Sequence, residues 1–192
     1  MKKSDKIRDI ISESITTKAL VLYDSALVEK IENAAELITQ ILKKGGKVFI
    51  FGNGGSASDS QHFAAELVGR FKKERRGLPA IALTTDTSIV TSLANDYSFD
   101  IVFKRQLEAL ATKGDVAVAI STSGMAKNVL EAVKYAKKSK LKTISFTGMK
   151  GASLSKMTDI SLVAPSMVTA RIQEAHILFI HTICELVETS FK

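Results

Sequence analysis

Apolar residues recur at helical spacing in two segments at the start of the chain, and this pattern predicts two helices. In the first segment the stripe consists of Ile7, Ile10, Ile11 and Ile15. In the second it consists of Ile31, Ala34, Ala35, Ile38, Ile41 and Leu42. Residues 1–45 are therefore predicted to form a helical pair ahead of a region with a different pattern.

From residue 46 onward, short apolar runs alternate with helical patterns. The runs predict strands at 47–51, 80–84, 115–121, 142–147 and 159–164. The helical patterns lie at 57–71, 99–111 and 126–138, with a long helix at about 168–190. Apolar strands that alternate with helices are typical of a parallel sheet covered on both faces. We predict one domain over 1–192: an α/β, three-layer αβα sandwich with a mainly parallel five-stranded sheet, preceded by the helical pair.

Composition narrows the class of protein. The 192 residues are 45% hydrophobic and 24% charged, as expected for one soluble globular domain. The single cysteine, Cys184, excludes an internal disulfide. The N-terminus has no apolar signal-peptide core, and no window approaches the roughly 18 apolar residues that span a bilayer. These features predict a cytoplasmic protein with no membrane partner.

The net charge of +7 raises the alternative of a nucleic-acid partner. The basic residues are scattered, and the densest run is "RFKKERRG" at 70–77. We expect this run to end the helix that holds Glu66, where cations suit the helix dipole and solvent. A solvated helix end is favoured over a nucleic-acid patch, and the positive field favours an anionic small substrate.

The turn "GNGGSA" at 52–57 follows the first strand and opens a helix. It loosely matches a dinucleotide fingerprint, but that fingerprint needs an acidic residue about 20 positions on, after the second strand. Asp86, near the end of that strand, lies well beyond this distance, which disfavours NAD. The glycines let the backbone approach a ligand closely, and Asn53 and Ser56 can add polar contacts. A purely structural turn stays an alternative.

A second turn, "STSGMAKN" at 121–128, also joins a strand to a helix. Its hydroxyls, glycine and backbone N–H groups suit an anion-binding nest. An ordinary Ser/Thr helix cap is the alternative, but a cap needs only one hydroxyl. Ligands of such sheets bind beyond the carboxyl ends of the strands, so two polar turns there favour a ligand site.

Three histidines are the remaining candidates for chemistry. His62 and Glu66 are four residues apart, about 6 Å along a helix axis, which suits a shared metal, an acid–base pair or an ordinary surface contact. Gln173 and His181 lie on adjoining faces of the last helix, separated by two turns. His176 points elsewhere, and we expect it to serve packing or an interface.

Several segments together resemble the phosphoheptose isomerases of the sugar-isomerase (SIS) fold. They are "GNGGSASDSQHFAAEL" (52–67), "TTDTS" (84–88), "ANDYSFDIVF" (94–103), "ISTSG" (120–124), "ARIQEAH" (170–176) and "HTICELVE" (181–188). The resemblance implies conversion of sedoheptulose 7-phosphate to D-glycero-D-manno-heptose 7-phosphate, the first step of heptose biosynthesis for bacterial lipopolysaccharide. It also implies a cytoplasmic homotetramer with active sites at subunit interfaces and one zinc ion per subunit.

The resemblance assigns roles residue by residue. The implied metal ligands are His62, Glu66, Gln173 and His181. Glu66 is the implied base and His181 its acid–base partner, which suits proton transfer through an enediolate. The implied substrate contacts are Asn53, Gly54, Gly55, Asn95, Asp96, Ser121, Thr122 and Ser123. We also predict Ser56, Glu66 and Gln173 as substrate contacts.

One departure from the family pattern concerns the hydroxyl turn, where Met125 and Ala126 replace the usual Asn and Ser. Ala126 removes a hydroxyl donor to the phosphate, a loss of about 1.5–3 kcal/mol unless other donors compensate. This keeps an SIS isomerase for another phosphosugar as an alternative. A second alternative is a non-catalytic SIS protein that binds the replication initiator. The relative with that role lacks counterparts of Glu66 and His181, so we favour the enzyme.

Overall fold

The computed structural model describes residues 2–191, beginning with the predicted helical pair. Helix α1 spans Lys3–Tyr23 and helix α2 spans Ser25–Lys43. They meet at Asp24, whose carboxylate accepts a hydrogen bond from the Leu27 N–H at 3.0 Å and caps α2. The apolar stripe of α2 is buried, whereas the four isoleucines of α1 stay exposed in the single chain.

Five strands form one sheet, in agreement with the predicted fold class. They are β1 Val48–Gly52, β2 Ala80–Ala82, β3 Val116–Ile120, β4 Lys142–Gly148 and β5 Ile160–Ala164. Their order is β2-β1-β3-β4-β5 and every pairing is parallel. Val48 pairs with Ala80 on one side and with Val116 on the other. The strand order therefore reverses between β1 and β3, where such sheets open a ligand crevice.

The remaining helices cover both faces of the sheet. They are α3 Gly55–Val68, α4 Thr87–Asp96, α5 Val102–Leu110, α6 Lys127–Lys138, α7 Ala152–Ser155 and α8 Thr169–Glu188, with a short 3₁₀ turn at Phe99–Ile101. Alternate residues of β1 enter different cores. Val48 and Ile50 pack with α2, α3 and α8, whereas Phe49 and Phe51 pack with α5, α6 and α7. This is the predicted three-layer arrangement.

Helix α4 is an element that the hydrophobic pattern does not predict. Its apolar residues Ile89, Val90, Leu93 and Ala94 form only a short stripe. Leu93 and Ala94 pack against the core, but none of the residues of the helix is fully buried. Its β-branched Thr, Ile and Val residues also have modest helix propensity. The helix begins at a side-chain cap, where the Asp86 carboxylate accepts from the Ile89 N–H at 2.9 Å.

The prediction that residues 70–77 end the helix carrying Glu66 is wrong. Helix α3 stops at Val68, with Gly69 as its C-cap, and the basic run lies in the irregular segment beyond it. Arg75 is buried rather than solvated. The buried side chains of Arg75 and Glu188 form hydrogen bonds with backbone carbonyl and N–H groups of this segment, in place of helical hydrogen bonds.

Among the helices of residues 2–191, none combines the length and the apolar character needed to cross a membrane.

Candidate active site

The glycine turn lies at the carboxyl end of β1, beside the point where strand order reverses. Gly54 has φ of +56°, a left-handed conformation that favours glycine. Asn53 and Asn128 exchange two side-chain hydrogen bonds of 2.9 Å, which tie this turn to the start of α6. The Ser56 side chain is buried beneath the turn. A cavity of about 150 Å³ opens against Asn53 and Gly54.

The hydroxyl turn follows β3 on the other side of the switch point. The Ser121 hydroxyl oxygen accepts from the Gly124 N–H at 3.1 Å, and that of Ser123 accepts from the Met125 N–H at 3.3 Å. Gly124 has φ of +62°, and a Cβ there would lie 2.5 Å from the Gly151 Cα. The turn is thus held in one shape against the loop after β4. Helix α6 starts behind it without a side-chain cap.

Helices α3 and α8 bring three of the predicted chemical residues together. His62 Nε2 lies 2.9 Å from His181 Nε2 and 3.4 Å from Glu66 Oε1. One ligand atom from each of the three residues falls within 4.8 Å of the others, and His62, Glu66 and His181 are here called the histidine–glutamate cluster. The side chains of His62 and Glu66 are 41% and 21% exposed, so the cluster is open to a ligand on one side. His62 thus contacts a histidine that lies 119 residues later in the sequence.

The donor set fits a zinc ion. Two imidazoles and a carboxylate are a common set of protein ligands in catalytic zinc sites. Zinc binds these atoms at about 2.0–2.2 Å, so neighbouring ligands of a tetrahedral site are separated by roughly 3.3 Å. The 2.9 and 3.4 Å separations around His62 are close to that value. Without a cation, one of the two facing Nε2 atoms must carry a proton and the other a lone pair. A metal ion would instead bind the lone pairs of both nitrogens.

Gln173 lies against the other end of α3. A Cβ added at Gly55 would overlap the Gln173 side-chain amide, so the absence of a side chain at position 55 makes room for this amide. Gly55 precedes His62 by seven residues, about 10 Å along the helix. The role of Gln173 as a metal or substrate ligand stays a prediction.

Asn95 and Asp96 lie at the end of α4. Both are exposed, and the Asn95 amide donates to the Asp96 carboxylate at 2.9 Å. This contact joins them to each other rather than to the histidine–glutamate cluster. Their assignment as substrate contacts also stays a prediction.

Asp59 is a site-facing residue that the sequence reasoning missed. It lies three residues before His62 and seven before Glu66, on the same stripe of α3. Its Oδ2 is buried without a hydrogen-bond partner. Burial raises the pKa of Asp59 to about 6, although the charge of His62 opposes the rise. The spacing within "DSQHFAAE" was the available signal, because it places all three side chains on one face.

His176 is fully buried, in agreement with the predicted packing role. Its ring packs against Phe146 and Phe179, and its Nε2 lies 3.2 Å from the Thr147 carbonyl oxygen. Because a carbonyl only accepts, Nε2 carries the proton and donates, while the buried Nδ1 has no partner. Burial lowers the pKa of His176 to about 4 despite the bond to Thr147.

Three features define an α/β protein of the sugar-isomerase class. They are the strand order, the two polar turns at the switch point, and the histidine–glutamate cluster of His62, Glu66 and His181. The family model of the SIS domain matches residues 12–148, so the chain contains this domain.

Comparison with individual proteins gives a narrower family. The phosphoheptose isomerase of Aliarcobacter butzleri is 50% identical over 190 residues, which cover 99% of each chain. That of Campylobacter concisus is 56% identical over 166 residues, 86% of this chain and 88% of the relative. The solved structure of the phosphoheptose isomerase from Neisseria gonorrhoeae superposes with a TM-score of 0.92 at 44% identity, covering 98% of this chain and 100% of the other. The chain belongs to the phosphoheptose isomerase family and is a sugar-phosphate isomerase.

Proposed function

We propose that the enzyme converts sedoheptulose 7-phosphate to D-glycero-D-manno-heptose 7-phosphate, the first step towards the activated heptoses of bacterial lipopolysaccharide. One observation carries the proposal: His62, Glu66 and His181 converge in a chain half identical to named phosphoheptose isomerases. Aldose–ketose isomerisation needs a base beside two adjacent carbons and a second group for their oxygens. This cluster supplies both kinds of group.

Glu66 is the base of the proposed mechanism. Its carboxylate removes a proton from C1 of the ketose and returns that proton to C2 after the double bond has shifted. His181 is the acid–base partner in this proposal: one proton is given to the C2 oxygen and one is taken from the C1 hydroxyl. Both side chains meet at His62, so one substrate segment can reach both groups.

The metal ligands in this proposal are His62, Glu66, Gln173 and His181, with one zinc ion per subunit. A zinc ion held there would polarise the substrate carbonyl and stabilise negative charge on the enediolate oxygens. The support is the donor set and the separations around His62.

The two turns bind the substrate in this proposal. The phosphate is held by Ser121, Thr122 and Ser123 together with the N-terminus of α6, where the helix dipole and backbone N–H groups favour an anion. The sugar near the reacting carbons is held by Asn53, Gly54, Gly55, Ser56, Asn95, Asp96 and Gln173. Ala126 contributes no hydroxyl, and its methyl group packs with the apolar residues beneath α6.

We also propose that the enzyme is a cytoplasmic homotetramer with active sites at subunit interfaces. Ile7, Ile10, Ile11 and Ile15 are 47–62% exposed in the single chain. A row of exposed isoleucines along one helix is costly in water and favours burial against another copy. Light scattering coupled to size-exclusion chromatography measures the number of subunits directly.

The decisive experiment is an isomerase assay on sedoheptulose 7-phosphate before chelation, after chelation and after zinc add-back. We expect turnover that falls on chelation and returns with zinc. Hexose and pentose phosphates run in parallel test for another phosphosugar. Absence of turnover on every sugar, together with binding to the replication initiator, would instead support the non-catalytic alternative.

A further inference from the structure

Residues 69–78, here called the 69–78 loop, connect α3 to β2 and pass over the histidine–glutamate cluster. The ring of Phe71 packs on the His181 imidazole, with centroids 5.6 Å apart and planes tilted by 36°. His62 contacts the same imidazole from another direction, with centroids 5.1 Å apart and planes at 66°. The ring of His181 is therefore held between Phe71 and His62.

Glu188, at the end of α8, binds the backbone of the loop. Its carboxylate accepts hydrogen bonds from the N–H groups of Phe71 at 2.9 Å, Lys72 at 2.8 Å and Lys73 at 2.9 Å. Burial alone raises the pKa of Glu188, but these three bonds and the charge of Arg75 outweigh it and lower the pKa. The carboxylate thus stays ionised and fixes three successive residues.

Arg75 binds the loop from the other side. Its guanidinium donates to the carbonyl oxygens of Glu66, Leu67, Gly69 and Arg76 at 2.8–3.1 Å. Its Nε lies 3.3 Å from Glu188 Oε1, and the two side chains are only 1% and 3% exposed.

Buried ions of this kind are costly unless they are paired and hydrogen-bonded. Here Arg75 and Glu188 hydrogen-bond to backbone groups of the 69–78 loop and so restrict its conformation. Ordering each loop residue costs about 1–2 kcal/mol of conformational entropy, so an unsupported loop would not hold an aromatic ring in one place. The ring that the pair orders is the one that contacts His181.

We propose that Arg75 and Glu188 form a clamp that holds Phe71 against His181, and that Phe71 is a positioning residue that orients this imidazole towards His62 and Glu66. The inference rests on the proposed function for the chemical role of His181. The contact between Phe71 and His181 does not depend on which sugar is the substrate.

The first test is zinc affinity in the absence of sugar, measured by competition with a chromogenic chelator. Changes to groups that orient metal ligands typically weaken metal binding 10–100-fold, and we expect Phe71→Ala to fall in this range. Lys73→Ala is the matched control, because it changes an exposed side chain of the same loop and keeps the N–H that Glu188 binds. Wild-type zinc affinity in Phe71→Ala would overturn the proposal.

The second test reads the histidine ring without metal or substrate. The chain has three histidines, so their ¹⁵N signals can be assigned by single substitutions and report the tautomer of each ring. We expect one dominant tautomer of His181 in the wild type and in Lys73→Ala, and a mixture in Phe71→Ala. An unchanged tautomer in Phe71→Ala would contradict the positioning role even if the enzyme bound no zinc.

The clamp itself is tested by Glu188→Gln, alone and combined with Phe71→Ala. If Glu188 acts through Phe71, the effects of the two substitutions on zinc affinity are not additive. The double variant then has about the same zinc affinity as the single variant that binds zinc more weakly. Full additivity would overturn the clamp, because Glu188 would then affect zinc binding independently of Phe71. A wild type inactive on sedoheptulose 7-phosphate would refute the proposed substrate, while the tautomer comparison would still decide the role of Phe71.

Discussion

Gly55 offers a direct test of whether the Gln173 amide takes part in the reaction. Gly55 is the first residue of α3, and a Cβ at this position would overlap the Gln173 amide, which is the far end of a flexible side chain. Nonbonded heavy atoms prefer separations of about 3.5 Å or more, so the amide in Gly55→Ala must move by about 1 Å or more. The backbone of α3 has no reason to move.

The expected effect on stability is small. Alanine favours the folded state by about 0.4–1 kcal/mol over glycine at a compatible position. Driving the Gln173 side chain from its present rotamer costs about 0.5–1.5 kcal/mol. The two contributions nearly cancel, so the free energy of unfolding should change by less than about 1 kcal/mol in a denaturant titration.

The expected effect on catalysis is large. A displacement of about 1 Å in a positioning group can cost on the order of 100-fold in rate, which corresponds to about 2.7 kcal/mol of transition-state stabilisation. We therefore expect kcat/KM to fall about 100-fold in Gly55→Ala with the fold intact. The assay is steady-state turnover of sedoheptulose 7-phosphate at saturating zinc.

A double-mutant cycle identifies the cause. In the Gln173→Ala background there is no amide to displace, so Gly55→Ala should have little further effect on kcat/KM. The reasoning would be refuted by full activity in Gly55→Ala, or by the same 100-fold loss in both backgrounds.

Three further predictions concern the proposed base, a buried histidine and the hydroxyl turn. Glu66→Gln should lower kcat by about 10²–10⁴-fold at unchanged subunit number and melting temperature, and retained turnover would exclude Glu66 as the base. His176 has a pKa of about 4 when folded and an ordinary value near 6.5 when unfolded, so its contribution to stability is complete above pH 6.5. That contribution, about 3 kcal/mol, is lost as pH falls towards 4. In urea titrations between pH 7 and 4.5, the free energy of unfolding should fall more steeply in the wild type than in His176→Gln. Parallel decreases in the two proteins would contradict this prediction. Ala126→Ser restores a hydroxyl in the hydroxyl turn, and the KM for the sugar phosphate should fall by about 10-fold or more, whereas an unchanged KM would exclude a phosphate contact at this position.

The strands and most helices were predictable because they carry one strong local signal. Each strand is an apolar run of the right length, and α2 carries an uninterrupted stripe that the structure buries. Helix α4 was harder to predict in this way, because its apolar residues, Ile89 to Ala94, span fewer than two turns and none of its residues is fully buried. Its cap at Asp86 was visible in the sequence but is too common a feature to predict a helix alone.

The candidate site was only partly predictable from residues. The four-residue spacing of His62 and Glu66 indicated one helix face, but it could not show that His181 completes the cluster. The 69–78 loop was misread for a physical reason: a run of Lys and Arg is usually solvated, and nothing local shows that Arg75 is buried. Its partner Glu188 lies 113 positions further along the sequence, so only the tertiary fold reveals the pair.

The contact between α3 and α8 also makes activity a measure of how completely the chain has folded. His62 and His181 are 119 residues apart in sequence, and β2, β3, β4 and β5 all lie between them along the chain. Contacts of such long range form late, because loop closure costs entropy before the contact stabilises anything. A chain whose sheet is complete but whose α8 has not docked would retain parallel β-structure and have neither a complete histidine–glutamate cluster nor an ordered 69–78 loop. Recovery of turnover during refolding should therefore follow the docking of one helix, and lag behind the recovery of secondary structure.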